Sequence, residues 1–480
     1  MKKIFAFAAF IAAASLALGG CAANDGGYYP GYNEYFEFTS DAEGSYVHGD
    51  VIEQEFKDVA EEASSYFSLD RNTATYSLVR RQIQGGYKVS ESAVRVEEMI
   101  NYFDYNFPAP EEEAVALSAS LSDCPWNSEN KLISIGLKTK EYVTDANANY
   151  VFLIDVSGSM EGADRLGLAK KGLNMLLDGL CERDAVSIVT YASRVKTVLD
   201  GAECSESGKT EIKKAISKLN AYGATSGGDG LERAYDVAQK HFIEGGNNRV
   251  IIISDGDFNV GMSSVDELKE FIQEKAKSDI YLSVLGVGMG NMRDDILETL
   301  ATCGNGNYAY LDNEREAEKV FVHELKGNLY TVANNAKAGV TFTSAVEKYR
   351  LIGYDTKLIS EDDFNNQDAD AGEIGSNLCV AALYEVKLAG GEGKLADAEV
   401  RYDGGSVSLA VNADTPSSDD LSFISCVAEF GLILRNSAYK GTASLASVLT
   451  RLDGLSGYIA NDGFKQEFVT LVGKASEIYN

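Results

Sequence analysis

Between residues 148 and 330, apolar runs of strand length alternate with amphipathic helical segments. That alternation dictates a mainly parallel sheet covered by helices on both faces, because parallel strands need crossovers and each crossover helix must bury its apolar stripe. The expected strands are 150–154, 185–191, 249–254, 280–287 and 307–311. Leu166, Leu173, Leu176, Leu177 and Leu180 fall on one face of the first connecting helix. Ser264 with Glu267 has the spacing of a capping box, and Leu268, Phe271 and Ile272 follow at helical spacing.

Both flanks of this unit read differently. Residues 66–69 are strand-like, and a helix is expected from Thr73 to Ile83, ended by Gly85-Gly86. A second short helix covers 94–103, and alternating stretches at 116–121 and 131–137 read as strands. After a long helix expected to run through Asn335, strand patterns return at 339–342, 349–354, 378–388 and 398–411, and helices follow from Leu421 onward. Isolated strand pairs cannot bury a face, so the economical arrangement is one sandwich-like domain made from both flanks with the alternating unit inserted. The fold class is therefore α/β: a doubly wound, Rossmann-like domain inserted in or flanked by a β-sandwich-like domain with additional helices. The expected division is 51–147 for the N-terminal helical and β region, 148–330 for the doubly wound domain and 331–480 for the C-terminal β and helical domain.

Location is written at the N-terminus. Lys2 and Lys3 precede an apolar run from Ile4 to Leu18, closed by Gly19-Gly20-Cys21. A charged start, a core too short to span comfortably and small residues before a cysteine describe a lipoprotein signal peptide over 1–20. Cys21 is the expected lipidation site, 21–50 a flexible tether rich in Gly, Tyr and Asn, and the cell envelope the expected location. The lipid would be the only membrane contact, since no later segment is long and apolar enough to span. The remaining six cysteines are scattered, match no zinc spacing and are expected mostly as buried thiols. With 43 basic against 73 acidic residues the formal charge is -30, which disfavours nucleic acid as a partner.

Chemistry concentrates at the carboxyl end of the first core strand, in Asp155-Val156-Ser157-Gly158-Ser159. Ligands of open parallel sheets bind at that edge. A carboxylate and two hydroxyls at alternate positions on a tight loop can converge on one point and offer oxygen only, which suits a hard cation such as Mg2+ (or Mn2+). Two further segments deliver oxygens to the same edge: the glycine-rich loop Gly223-Ala224-Thr225-Ser226-Gly227-Gly228 supplies Thr225, and the strand ending in Ser254-Asp255-Gly256 supplies Asp255.

This trio of segments resembles the metal-ion-dependent adhesion site of von Willebrand factor type A domains. By that resemblance Asp155, Ser157, Ser159, Thr225 and Asp255 are metal ligands, some through water. The cation keeps an open position for an Asp or Glu carboxylate of a partner protein. The similarity extends further, to YfbK-type bacterial lipoproteins, through Phe67-Ser68-Leu69-Asp70, Arg95-Val96-Glu97-Glu98-Met99-Ile100-Asn101-Tyr102-Phe103, Asp255-Gly256-Asp257-Phe258-Asn259-Val260-Gly261, Gly304-Asn305-Gly306-Asn307-Tyr308-Ala309-Tyr310, Tyr349-Arg350-Leu351-Ile352-Gly353-Tyr354 and Ala428-Glu429-Phe430-Gly431. That family combines a characteristic N-terminal region, a type A domain and a C-terminal domain of unknown function. Ala224, where the family often has Ser, and Asp229, where a small residue is expected, depart from its pattern without removing a ligand.

Catalysis is disfavoured on chemical grounds. Asp155 with Ser157 lacks the second acid of an aspartyl-phosphate site, and a nucleophilic Ser157 or Ser159 needs a base, yet His48, His241 and His323 lie outside the site loops. Gly286-Val287-Gly288-Met289-Gly290 lacks the third glycine of a nucleotide loop. The acidic run 361–370 lacks the glycine and final Glu of a calcium loop and reads as a solvated loop. The competing roles are a structural envelope protein with a stabilising metal and, further off, a metal-dependent hydrolase.

Overall fold

The structure is a computed structural model that describes residues 53–69, 72–141, 147–224, 230–256, 265–288, 294–324, 331–367, 369, 371–390 and 392–479. Its strands, in chain order, are β1 Lys57–Asp58, β2 Ser64–Ser68, β3 Val115–Asp123 and β4 Lys131–Thr139 from the N-terminal flank. The inserted unit supplies β5 Ala148–Asp155, β6 Ala185–Tyr191, β7 Lys196–Glu203, β8 Asn247–Ser254, β9 Ile280–Val287 and β10 Tyr308–Leu311. The C-terminal flank adds β11 Thr331–Phe342, β12 Val346–Ile352, β13 Gly372–Gly375, β14 Cys379–Leu388, β15 Lys394–Tyr402 and β16 Gly405–Asn412.

β5 to β10 form one sheet in the order β10-β9-β8-β5-β6-β7, parallel except for β7. Every residue of β5 and β8 is buried, as central strands covered on both faces require. Helices Leu166–Asp178 and Glu206–Ser217 cover one face together with Phe321; helices Gly230–Lys240, Val265–Ala276 and Asp294–Cys303 cover the other. From β5 the chain moves to β6 on one side and later returns to β8 on the other. The strand order therefore reverses at β5, and a crevice opens at the carboxyl ends of β5 and β8.

The flanks interleave. β4 pairs with β14, β1 with β12 and β2 with β11, so two sheets, β1-β12-β14-β4-β3 and β13-β11-β15-β16 with β2 beside β11, draw strands from both sides of the inserted unit. Their facing sides share a core containing Phe67, Ile133, Leu351, Val340, Tyr384 and Val400. The outer face of the first sheet packs on the helices Val96–Asn101, Asp419–Leu434, Leu445–Gly454 and Gly463–Tyr479 through Met99, Phe103, Phe423, Phe430 and Phe468. The helix Asp419–Leu434 is buried nearly all round, as a helix between a sheet and other helices must be.

Four expectations need correction. β7, an antiparallel edge strand, was not anticipated, because its mostly half-exposed residues carry no clear alternation. The long helix through Asn335 does not form: a short α-helix, Glu314–Glu318, passes into π-helical turns over Lys319–Glu324, and Asn335 lies in β11. Pairing with three strands outweighs the local helical pattern, and the register shifts along β11 place Asn335 at φ +50°, a conformation Asn tolerates. The run 398–411 is a hairpin, β15 and β16, closed by Asp403-Gly404 with Gly404 at φ +89°. The acidic run opens as a short helix, Glu361–Asn365, capped by the Ser360 hydroxyl, with its carboxylates at the favourable end of the dipole.

Cys124, Cys204, Cys379 and Cys426 are buried, Cys303 is half-buried and Cys181 exposed, all as unbridged thiols. Among the described residues no helix is long and apolar enough to cross a membrane. Cys21 and the tether lie outside the described residues.

Candidate metal centre

Asp155 ends β5 and Ser254 ends β8, and the two strands are in register through Ile154 and Ile253, so Asp155 emerges opposite Ser254 and Asp255 follows one residue further on at the crevice. Asp155 is 0% and Asp255 4% exposed. The Ser157 amide donates to Asp155 Oδ1 at 2.8 Å, which folds the loop back over the strand end, and the Ser254 hydroxyl lies 3.4 Å from Asp155 Oδ2. Ser157 Oγ and Ser159 Oγ are 2.9 Å apart, Ser157 just before and Ser159 within the short turn Gly158–Met160. The Gly158 amide donates to Gly223 O at 3.0 Å and the Tyr222 amide to Val156 O at 2.7 Å, tying the first loop to the start of the second.

The structure thus brings Asp155, Ser157, Ser159 and Asp255 to one sheet edge. Thr225 lies outside the described residues, as do Asp229, Asp257 and Ser264 with its expected cap. The preceding Gly223, at φ +76°, is pressed against Ser193, whose hydroxyl accepts from the Ala224 amide at 3.1 Å. Glu161 is exposed.

The electrostatics suit a cation. Burial, with Asp255 nearby, pushes Asp155 up to about 6 against the opposing pull of the Ser157 amide and hydroxyl. Burial and then the Asp155 charge hold the Tyr191 phenol well above its ordinary range. Asp255 Oδ1 is buried and has no hydrogen-bond partner among the described residues. A buried, unsatisfied carboxylate oxygen beside a second carboxylate costs free energy that a dication would remove, and the donors are oxygens only, so the residues fit Mg2+ or Mn2+. Among the described residues no group of three His, Cys, Asp or Glu side chains is placed to hold a metal, so any ion here would need the hydroxyls as donors.

Residues around the loops escaped the sequence reading. Tyr191 and Ser254 end strands flanking β5, a position that strand assignment alone could have flagged. Arg165 donates to the Ser159 carbonyl, and Arg81, from the N-terminal flank, reaches Asp164 at 2.7 Å. Arg165 lies only six residues beyond Ser159, but no motif spacing marks it, and Arg81 reaches Asp164 from 83 residues away.

A doubly wound sheet with carboxylates and hydroxyls gathered at its switch point defines a von Willebrand factor type A domain protein, and that domain family matches residues 149–323. A von Willebrand factor family matches 43–134, and the family described as Uncharacterized protein YfbK, C-terminal, matches 327–415 and 406–478. The chain belongs to the YfbK family: it is 34% identical to Uncharacterized protein YfbK of Escherichia coli (strain K12), over 88% of this chain and 80% of that one. Partial relatives include Uncharacterized protein sll0103 of Synechocystis sp., 28% identical over 43% of this chain and 49% of that one. Human inter-alpha-trypsin inhibitor heavy chain H3 is 28% identical over 40% of this chain and 22% of that one. Among solved structures, von Willebrand factor type A from Catenulispora acidiphila aligns at TM-score 0.43 and 13% identity, covering 77% of this chain and 91% of that one. Proximal thread matrix protein 1 of the mussel byssus, solved with a zinc-occupied MIDAS motif, aligns at TM-score 0.32 and 23% identity over 40% and 47% of the two chains. Type A domains commonly serve as metal-dependent adhesion or protein-interaction modules, and such proteins are typically not catalysts.

Proposed function

We propose that this chain is an envelope-anchored, metal-dependent protein-binding module. Asp155, Ser157, Ser159, Thr225 and Asp255 would hold Mg2+ or Mn2+, directly or through water, and the cation would supply an open coordination position for an Asp or Glu carboxylate of a partner protein. The observation that carries this reading is the buried Asp255 Oδ1, without a hydrogen-bond partner among the described residues, close to Asp155 at the crevice. Hydroxyls in place of further carboxylates leave the cation electrophilic, so a partner's carboxylate gains a charge-assisted bond in a partly dry setting. An interaction role is favoured over hydrolysis because the two site serines bond to each other, while His241 is bonded to Asp200 on β7. Lipidation at Cys21 would place the module on a membrane without a spanning segment.

Pull-down from envelope extract, with and without chelator, tests the binding role. The folded wild type should capture an envelope protein only with Mg2+ or Mn2+, and Asp155→Ala should lose it while remaining folded. If Asp155→Ala captures the same protein, or chelator changes nothing, the role is wrong. Fractionation of Cys21→Ser tests the anchor: the variant should leave the membrane fraction, and unchanged partitioning would refute lipidation.

A further inference from the structure

Two adjacent arginines on the N-terminal helix Ala74–Gln84 reach the type A domain by different routes. Arg80 is 0% exposed. It donates to Asp312 Oδ2 and Glu316 Oε2, each at 2.7 Å, just beyond β10, and to Glu467 Oε2 at 3.1 Å on the C-terminal helix. That network locks the helix against both the inserted domain and the C-terminal flank.

Arg81, thus placed, turns to the metal edge. Its Nη1 donates to the Tyr310 hydroxyl at 2.9 Å and its Nη2 to Asp164 Oδ2 at 2.7 Å. Tyr310 in turn donates to Gly288 O at 2.8 Å, where β9 ends. Asp164 is followed by Arg165, whose guanidinium donates to the Ser159 carbonyl, and whose Nε would lie 2.7 Å from a Cβ built on Gly288. Arg81 thus bears on Arg165 from two sides, along the chain from Asp164 and, through Tyr310, on the Gly288 backbone against which the Arg165 side chain packs, and Arg165 ends on the carbonyl of Ser159, whose hydroxyl is offered to the cation.

We propose that Arg81 is a positioning residue for the metal loop: through Asp164 and Arg165 it fixes Ser159, so that the N-terminal flank sets how tightly the type A domain holds its cation. The inference rests on the metal-dependent reading above. Mg2+ demands near-ideal octahedral geometry, so a serine oxygen allowed to wander must be reordered when the ion binds, and affinity falls by that cost. Charge alone predicts the opposite sign. Arg81 is a cation near a cation site, and its removal should tighten binding if only electrostatics mattered. The direction of the effect decides between them.

The test is calorimetric titration of the full mature chain with MgCl2 and MnCl2. Arg81→Ala and Asp164→Asn should weaken binding roughly three- to tenfold, the range of a single coupling contact. Arg81→Lys should recover part of the loss, and the charge swap Arg81→Asp with Asp164→Arg should bind more tightly than either swapped residue alone. Hydrogen exchange on the metal-free protein supplies a second readout: in Arg81→Ala, amides of 157–165 should exchange faster while those of helix Leu166–Asp178 keep their protection. Equal or tighter metal binding by Arg81→Ala, or exchange raised across the whole domain, overturns the proposal. Wild type that binds no metal, indistinguishable from Asp155→Ala, overturns the metal reading itself and this inference with it.

Discussion

Arg350 on β12 and Glu385 on β14 stand directly opposite each other in the sheet, and their side chains, each 1% exposed, bond at 2.8 Å. Glu385 also accepts from Trp126 Nε1 at 3.1 Å and Asn130 Nδ2 at 2.6 Å, while the Arg350 guanidinium lies over the Tyr439 ring at 4.5 Å. The pair joins β12 and β14 to the turn before β4 and to the loop after the helix Asp419–Leu434, so its loss should be felt throughout the sandwich.

Arg350→Ala strands a buried carboxylate and should lower stability by about 3–5 kcal/mol, whereas removing both charges in a well-packed double variant should cost less. Urea denaturation of the single and double variants measures both.

Divalent metal should raise thermal stability through mass action. At about a hundredfold excess over the dissociation constant, Mg2+ should add about 2.7 kcal/mol, and chelator should remove it. Asp255→Ala should show no metal-dependent increment in Tm. It should also be no less stable than metal-free wild type, because the variant lacks the unsatisfied Oδ1.

Stability should decline between pH 4.5 and 7 because of Glu97. Burial, and then the neighbouring Glu98 and Asp355 charges, push this carboxyl up to about 7 against the pull of backbone amides, and its Oε2 has no hydrogen-bond partner among the described residues. The folded state therefore prefers the neutral acid. The penalty is absent below the unfolded value near 4.5, grows as pH rises toward 7 and is constant above, reaching roughly 3 kcal/mol. Glu97→Gln should flatten that slope and be the more stable protein at pH 8; a denaturant series across pH would show it.

Gly172→Ala reverses a common rule. Alanine within a helix normally stabilises by up to about 1 kcal/mol over glycine. Here the added Cβ would lie 2.3 Å from Phe321 Cδ2, and that ring is fully buried. A net loss of about 1–3 kcal/mol is expected from overpacking, measurable as a lower Tm.

The inserted domain is legible because its central strands carry continuous apolar runs, Tyr150 to Ile154 and Val250 to Ile253, and its helices have an apolar face. Asp155, Ser157 and Ser159 could be read for a related reason: their spacing is local, and the strand before them fixes which edge they occupy. β7 and β11 were not legible, since a half-exposed edge strand has little periodicity and a bulged strand breaks what it has. Tyr191 and Arg81 join the site only through tertiary apposition, which no window of neighbouring residues encodes, and Arg165, six residues past Ser159, carries no motif spacing that singles it out.

The pairing of β2 with β11 sets an order of events at the ribosome. Ser64 meets its partner Thr341 277 residues further on, so the first strands made must wait until the whole inserted domain has emerged. That domain can meanwhile complete its own sheet, leaving the early strands as open edges in the nascent chain. A holding chaperone that covers such edges should raise the yield of this protein more than it would that of the isolated 148–324 segment.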